Sequence, residues 1–195
     1  MRNSNVTMPS ADDALDRLLT GNKRYISQKQ IYPNQTLKRR AELCEGQFPF
    51  AVILGCSDSR IPPELIFDQG LGDLFVVRVA GNIIDNVVLG SIEYAVTHLH
   101  TPLVMVLGHS KCGAVEATVA GGNLEGHLSD LTEAILPAMN SRQEQTENII
   151  DDTAKANAKM VAEQLTSALS PWIENEKLMV VPAFYNLDTG LVEIL

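Results

Sequence analysis

The chain is short of basic residues and of long apolar runs. Its 195 residues include 15 Lys and Arg against 24 Asp and Glu, which gives a net charge of −9. Phosphate backbones are bound by an excess of basic side chains, so this balance argues against a nucleic-acid surface. No apolar run approaches the roughly 20 residues that cross a bilayer, and the polar residues 1–10 lack the apolar core of a signal peptide. We therefore expect no nucleic-acid or membrane partner and a cytoplasmic location.

Cysteine is also scarce, with three residues in the chain. This number does not make a disulfide framework, and in a reducing compartment Cys56 and Cys112 suit metal binding better than a bridge. The two also lack the close C-x-x-C spacing of a thiol-redox motif. Cys44 stands at the end of a helical stretch, where we expect a packed thiol.

Apolar periodicity divides the chain into alternating helices and strands. Helices are predicted at residues 11–26, 36–44, 85–99, from 113 onward and at 141–169, with a helical turn at 62–65 and a loop at 121–126. Strands are predicted at 49–54, 74–79, 103–107, 178–183 and 191–195. This alternation predicts an α/β fold with a mainly parallel central β-sheet flanked by helices and an antiparallel C-terminal edge strand.

The size and composition predict one domain over residues 1–195, since 45% of residues are hydrophobic and 20% are charged without any marked shift along the chain. An N-terminal helical arm covers about residues 11–45, and its first helix is amphipathic and followed by a polar link. Two alternatives stay open for this helix: it contacts a neighbouring subunit, or it packs on its own.

Two short segments carry most of the chemistry, Cys56-Ser-Asp58-Ser-Arg60 and His109-Ser-Lys-Cys112. Each follows an apolar run that reads as a buried strand with glycine at or near its exit. Ligands of an open α/β sheet gather at the carboxyl ends of its strands. Two thiols, one imidazole and one carboxylate make a complete ligand set for zinc. Singly, each residue has a plainer interpretation as a buried thiol or a turn residue, and their coincidence favours the metal site.

Asp58 and Arg60 allow two interpretations. They are either a solvated surface pair of little energetic value or a switch, in which Arg60 holds the carboxylate or releases it to the metal.

The same residues resemble the β-class carbonic anhydrases. The likeness lies in AVILGCSDSRIPPELIFDQGLGDLFVVRVAGN and IEYAVTHLHTPLVMVLGHSKCGA and is densest from Gln47 to about Gly122. The resemblance implies one Zn²⁺ per chain, with Cys56, His109 and Cys112 as permanent ligands, Asp58 as an exchangeable fourth ligand and Arg60 as its partner. It also implies reversible hydration of carbon dioxide to bicarbonate and a proton by attack of zinc-bound hydroxide.

Further roles rest on the resemblance alone. Gln47 matches a hydrogen-bond donor to bicarbonate, while Phe75 and Tyr94 match walls of the carbon dioxide pocket. The family implies a homodimer or homotetramer with active sites at the subunit contact. The proton exit stays open among His98, His100, His127 and buffer.

Two alternatives to this interpretation remain to be compared. Hydrolysis of carbonyl sulfide or carbon disulfide could use the same zinc site, whereas a structural zinc or bicarbonate-sensing module would be expected to lose Asp58 or Arg60. Regulation by bicarbonate is put in doubt by Ile53, which stands where regulated members carry tryptophan, although Arg78 and Tyr185 resemble the rest of that regulatory site.

Overall fold

The computed structural model describes residues 7–121, 125–141, 148–175 and 178–195. The helices in these residues are α1 (Ala11–Ile26), α2 (Leu37–Glu42), α3 (Pro63–Ile66), α4 (Asn86–Thr97), α5 (Gly113–Ala120), α6 (Leu128–Ser141), α7 (Ile149–Ala168) and α8 (Ser170–Ile173). The strands are β1 (Ala51–Gly55), β2 (Leu74–Arg78), β3 (Leu103–His109), β4 (Met179–Tyr185) and β5 (Val192–Ile194).

The strands form one sheet in the order β2-β1-β3-β4-β5. The first four are parallel, and β5 runs antiparallel to β4 at the edge. The predicted fold class is therefore confirmed. Because β2 lies on one side of β1 and β3 on the other, the winding reverses between β1 and β3. Such a switch point opens a crevice at the carboxyl ends of the two strands, which is the usual place for a ligand site.

Two apolar layers cover the sheet, and strand periodicity assigns residues to each. Ile53 and Met105 face the layer that includes α1, α5 and α6, whereas Leu54 and Val106 face the layer formed with α4 and most of α7. Successive side chains of a strand point to opposite faces, so both faces of β1 and β3 are apolar. This double burial makes the two strands a rigid base for the residues that follow them.

Helix α1 is tied to its own chain. The Asn22 amide donates to the carbonyls of Ile66 (3.2 Å) and Gly190 (2.8 Å) and accepts from the Val192 N–H (2.9 Å). Arg24 pairs with the buried Asp68 at 2.6 Å. Helix α1 therefore packs on its own chain, and its contact with a neighbouring subunit stays a prediction.

Some sequence-based expectations differ from the structure. Cys44 is exposed, so its assignment as a packed thiol is wrong: the short helix before it has no buried residue. Residues 128–141 form α6, a helix that the apolar periodicity does not predict. The long helix predicted at 141–169 appears as α7, and residues 142–147 of that prediction lie outside the described residues. Within the part of the chain that is described, no helix has the length and apolarity needed to cross a bilayer.

Candidate metal centre

The Cys/His/Cys group, defined as Cys56, His109 and Cys112, lies at the carboxyl ends of β1 and β3. Cys56 directly follows β1, His109 is the last residue of β3, and Cys112 is the N-cap of α5. Because β1 and β3 are neighbours in the sheet, the ligand atoms of all three residues lie within 4.8 Å of one another. All three side chains are buried. The predicted clustering of these residues is therefore present in the fold.

His109 has the tautomer of a metal ligand. Its Nδ1 lies 2.9 Å from the carbonyl oxygen of Ser110, and because a carbonyl only accepts, Nδ1 carries the proton. The remaining lone pair is on Nε2, which is buried and has no hydrogen-bond partner among the described residues. A buried acceptor without a partner is costly unless something binds it. A backbone carbonyl that fixes Nδ1–H and presents Nε2 is typical of metal-bound histidine.

A hydrogen bond between the two thiols shifts their pKa values in opposite directions. Hydrogen bonding to Cys112 lowers the pKa of the Cys56 thiol to about 4, and the Gly81 N–H, at 3.2 Å from Sγ, acts in the same direction. The pKa of Cys112 is raised because it shares that hydrogen bond with Cys56 and is buried. A cation would stabilise both thiolates. Two thiolates and a neutral imidazole fit zinc, and three protein ligands leave a fourth position open.

Gly81 supplies its N–H from a backbone conformation that favours glycine, with φ of 70°. Its carbonyl accepts from the buried Asn157 amide of α7 at 2.9 Å, which fixes the next peptide as well. Neither residue can be found from the sequence, because nothing in the spacing of a lone glycine and a lone asparagine links them to Cys56.

Asp58 is held by Arg60 through two parallel hydrogen bonds. Nε donates to Oδ1 at 2.9 Å and Nη2 donates to Oδ2 at 2.6 Å, while the Arg60 backbone N–H also reaches Oδ1 at 2.9 Å. The Arg60 guanidinium holds the pKa of Asp58 well below its usual value, at about 2. The carboxylate is therefore ionised at neutral pH. Two-point pairing of this kind also fixes its orientation.

Two further residues shape the turns that carry the Cys/His/Cys group. Arg78 donates to the backbone carbonyls of Cys56 (2.9 Å) and Asp58 (2.5 Å), so it fastens the segment that carries both side chains. Lys111 adopts φ of 54°, a left-handed conformation that costs a non-glycine residue on the order of 1–3 kcal/mol. The resemblance pointed to Arg78 for another role, and it gave no sign of strain at Lys111.

Gln47, Phe75 and Tyr94 lie at the other end of the sheet. Gln47 precedes β1, and Phe75 pairs in register with Val52, four residues before Cys56. Four residues of strand span about 13 Å. The Tyr94 ring is 6.3 Å from that of Phe75. The structure therefore separates these three residues from the Cys/His/Cys group of the same chain.

A cleft of about 290 Å³ at this amino end, the Gln47 cleft, is lined by Glu45, Gly46, Gln47, Phe48, Tyr94, His98 and Leu99. A larger cleft of about 1030 Å³ lies around Trp172 and the starts of β3 and β4. It contains none of the predicted metal ligands or substrate-binding residues.

Comparison with known proteins agrees with the geometry. The family model described as carbonic anhydrase matches residues 51–192. The chain is 43% identical over 180 residues to carbonic anhydrase 2 of Mycobacterium tuberculosis, covering 89% of this chain and 87% of that one. It is 40% identical over 196 residues to the carbonic anhydrase of Mycolicibacterium smegmatis, with 96% and 95% covered.

Among solved structures, one of two tetrameric β-carbonic anhydrases from the ascomycete Sordaria macrospora superposes with a TM-score of 0.75. It shares 26% identity, with 94% of this chain and 97% of that chain covered. The expected family and the expected enzyme class, a carbonate dehydratase, are thereby confirmed. The chain belongs to the β-class carbonic anhydrases.

Proposed function

We propose that the protein hydrates carbon dioxide reversibly to bicarbonate and a proton, with one Zn²⁺ held by the Cys/His/Cys group. The observation that carries the proposal is the unpartnered Nε2 of His109, buried within 4.8 Å of two thiol sulfurs. Bound there, zinc supplies Lewis acidity that eases the deprotonation of water near neutral pH.

Asp58 serves as the group that orients the reacting water. Its ionised carboxylate can accept a hydrogen bond from that water, and Arg60 keeps the carboxylate oxygens in one orientation. While it is held in this way, the carboxylate is kept from acting as a fourth ligand. In its present arrangement the Asp58–Arg60 pair thus orients the reacting water. When the pair separates, Asp58 can occupy the fourth metal position and exclude water.

The substrate pocket is completed by a second copy of the chain. Gln47, Phe75 and Tyr94 cannot reach the Cys/His/Cys group of their own subunit, because the length of β1 stands between them. The surface around them suits an interface: β2 is an edge strand with apolar residues, and on α4 both Val87 and Tyr94 are exposed. An apolar strand with an open edge is normally covered by a partner.

A homodimer related by a two-fold axis would bring the amino end of one sheet to the carboxyl end of the other, twice over. In this arrangement the Gln47 amide donates to the oxygen of the developing bicarbonate. A homotetramer would repeat the pair, and the Sordaria macrospora relatives are described as tetrameric.

His98 is the residue that takes up the released proton. Its ring stacks on Tyr94, with centroids 5.1 Å apart, and it lines the Gln47 cleft. The Thr97 hydroxyl donates its one hydrogen to the Glu93 carbonyl, so it must accept from His98 Nδ1 at 2.7 Å. That leaves Nε2 as the basic nitrogen. By contrast, His127 is a fully exposed side chain and His100 lines the cleft around Trp172.

The alternatives have less support. Each relative described above is named a carbonic anhydrase, and no feature of the described residues favours carbonyl sulfide or carbon disulfide as substrate. A purely structural zinc site would be closed by four protein ligands, whereas Asp58 is paired with Arg60. The cytoplasmic location stays a prediction, as does the doubt about regulation by bicarbonate.

Metal analysis with a stopped-flow hydration assay tests the proposed function. Purified protein should contain about one zinc per chain, as three convergent protein ligands imply. Removal by a chelator should abolish hydration, and added zinc should restore it. Zinc-loaded, folded oligomers without hydration activity would contradict the proposal, as would protein that binds no zinc.

A further inference from the structure

Lys111 connects the metal ligands to helix α7. It stands between His109 and Cys112 with a left-handed backbone, and such strain persists only where the surroundings enforce it. Its backbone N–H donates to Asp151 Oδ1 at 3.0 Å, and its Nζ contacts Asp188 Oδ1 at 2.5 Å. The first contact is from the backbone and fixes the peptide itself. The second involves two exposed side-chain groups and fixes only the end of the lysine.

Asp151 is itself held in place. It lies in the first turn of α7, where a carboxylate is favourable, and its backbone N–H donates to the Asn148 cap at 3.2 Å. Helix α7 packs on β3 and β4. The acceptor for the Lys111 N–H is therefore carried by a long, packed helix rather than by a loop.

The carbonyl of Lys111 contacts the Asp58–Arg60 pair. It accepts from Arg60 Nη2 at 3.0 Å, and the same Nη2 donates to Asp58 Oδ2 at 2.6 Å. A guanidinium Nη carries two hydrogens, so these two acceptors use both. Where the Lys111 carbonyl points thus decides where Arg60 lies, and Arg60 decides where the Asp58 carboxylate lies.

We propose that Asp151 is a positioning residue for the Asp58–Arg60 pair, acting through the backbone of Lys111. By holding the Lys111 N–H, it keeps the left-handed turn whose carbonyl receives Arg60, and so favours the arrangement in which Asp58 is kept from the metal. This inference rests on the proposed function, because Asp58 competes for the fourth position only where a metal is bound.

Azide binding to the cobalt(II)-loaded oligomer tests the inference without recourse to activity. Azide needs the fourth position, and its binding changes the visible spectrum of the metal. Asp151→Ala should weaken azide binding roughly three- to tenfold, as expected for loss of one hydrogen bond of ordinary strength. Asp151→Asn, which keeps an oxygen acceptor, should bind azide nearly as the parent does. Asp188→Ala, the matched control at the exposed lysine end, should leave azide affinity unchanged.

The decisive comparison repeats Asp151→Ala in an Asp58→Ala background. If Asp151 acts through Asp58, its substitution has no effect on azide affinity there, since no carboxylate competes. Equal losses in both backgrounds would overturn the inference, and so would unchanged affinity in the single variant or an equal loss in Asp151→Asn. Thermal unfolding verifies that each variant is folded. A parent protein that takes up no cobalt would instead overturn the proposed function on which the inference rests.

Discussion

The two ends of the sheet differ in how complete they are. At the carboxyl end, the three residues of the Cys/His/Cys group are buried, and hydrogen bonds from Arg60, Arg78 and Gly81 hold the backbone and side chains around them. At the amino end, Gln47 is exposed and Tyr94 retains 46% of its accessible surface. At the carboxyl end, the functional side chains have their contacts within a single chain, whereas the amino end presents polar and aromatic groups to the outside. The proposal that the two ends serve one site in different subunits accounts for this difference.

Removing a ligand should have the largest effect. Cys112→Ala should lose most of its bound zinc and all hydration activity, because two remaining ligands no longer form a protein site of sufficient strength. Elemental analysis after dialysis measures the loss. Cys44→Ala is the matched control, since that cysteine is exposed and outside the group. Full zinc retention by the Cys112 variant would show that the metal lies elsewhere.

Arg60→Ala should silence the enzyme while zinc is retained. Without its partner, Asp58 is free to bind the metal and to exclude water. Hydration assays with metal analysis separate this result from metal loss, and Arg40→Ala, an exposed arginine of α2, serves as the control. Activity close to the parent level would reduce the Asp58–Arg60 pair to a solvated surface pair of little value.

Gln47→Ala tests the amino end of the sheet by the same two measurements, turnover and zinc content. An amide donor aimed at charge that develops in the transition state is worth about 2.7–4 kcal/mol, which corresponds to a loss of roughly 100- to 1000-fold in turnover. Zinc content should not change, because Gln47 does not belong to the Cys/His/Cys group. The exposed Gln35 provides the control as Gln35→Ala. Unchanged turnover would mean that Gln47 has no part in the reaction.

His98→Ala should have the smallest effect, and one that depends on buffer. Turnover should fall by up to about tenfold in dilute buffer, below the 100-fold or more of a full acid–base catalyst, because buffer can also carry the proton. Concentrated imidazole buffer should restore the rate. A loss that no buffer concentration repairs would assign His98 a packing role against Tyr94 instead.

Most of the carboxyl end could be predicted from the sequence. The apolar runs before Cys56 and His109 give buried strands, and strand ends in such folds converge on a ligand site. The motif pair then indicates the three residues that cluster there. Spacing alone could not show that His109 presents Nε2, because that depends on the carbonyl of Ser110.

What the sequence did not reveal depends on contacts between distant residues. Helix α6 contains Pro137, which disfavours a helix interior and hides the helical pattern. The anchoring of α1 depends on Asn22, whose partners lie 44 and 168 residues away. By contrast, the strand predicted at 49–54 lies within the eight residues between Gln47 and Cys56, so their separation along one strand follows from the sequence pattern.

Hybrid dimers give the most direct test of a site shared between subunits. Cys112→Ala and Gln47→Ala chains carrying different tags would be refolded together, and dimers that contain one of each would be isolated. If Gln47 acts in the neighbouring subunit's site, each hybrid has one intact site of two and should show roughly half the activity of the parent dimer. Hybrids of Cys112→Ala with Cys56→Ala, which leave no intact ligand group, should stay inactive. Inactive Cys112→Ala and Gln47→Ala hybrids would contradict the shared site and place Gln47 in the site of its own chain.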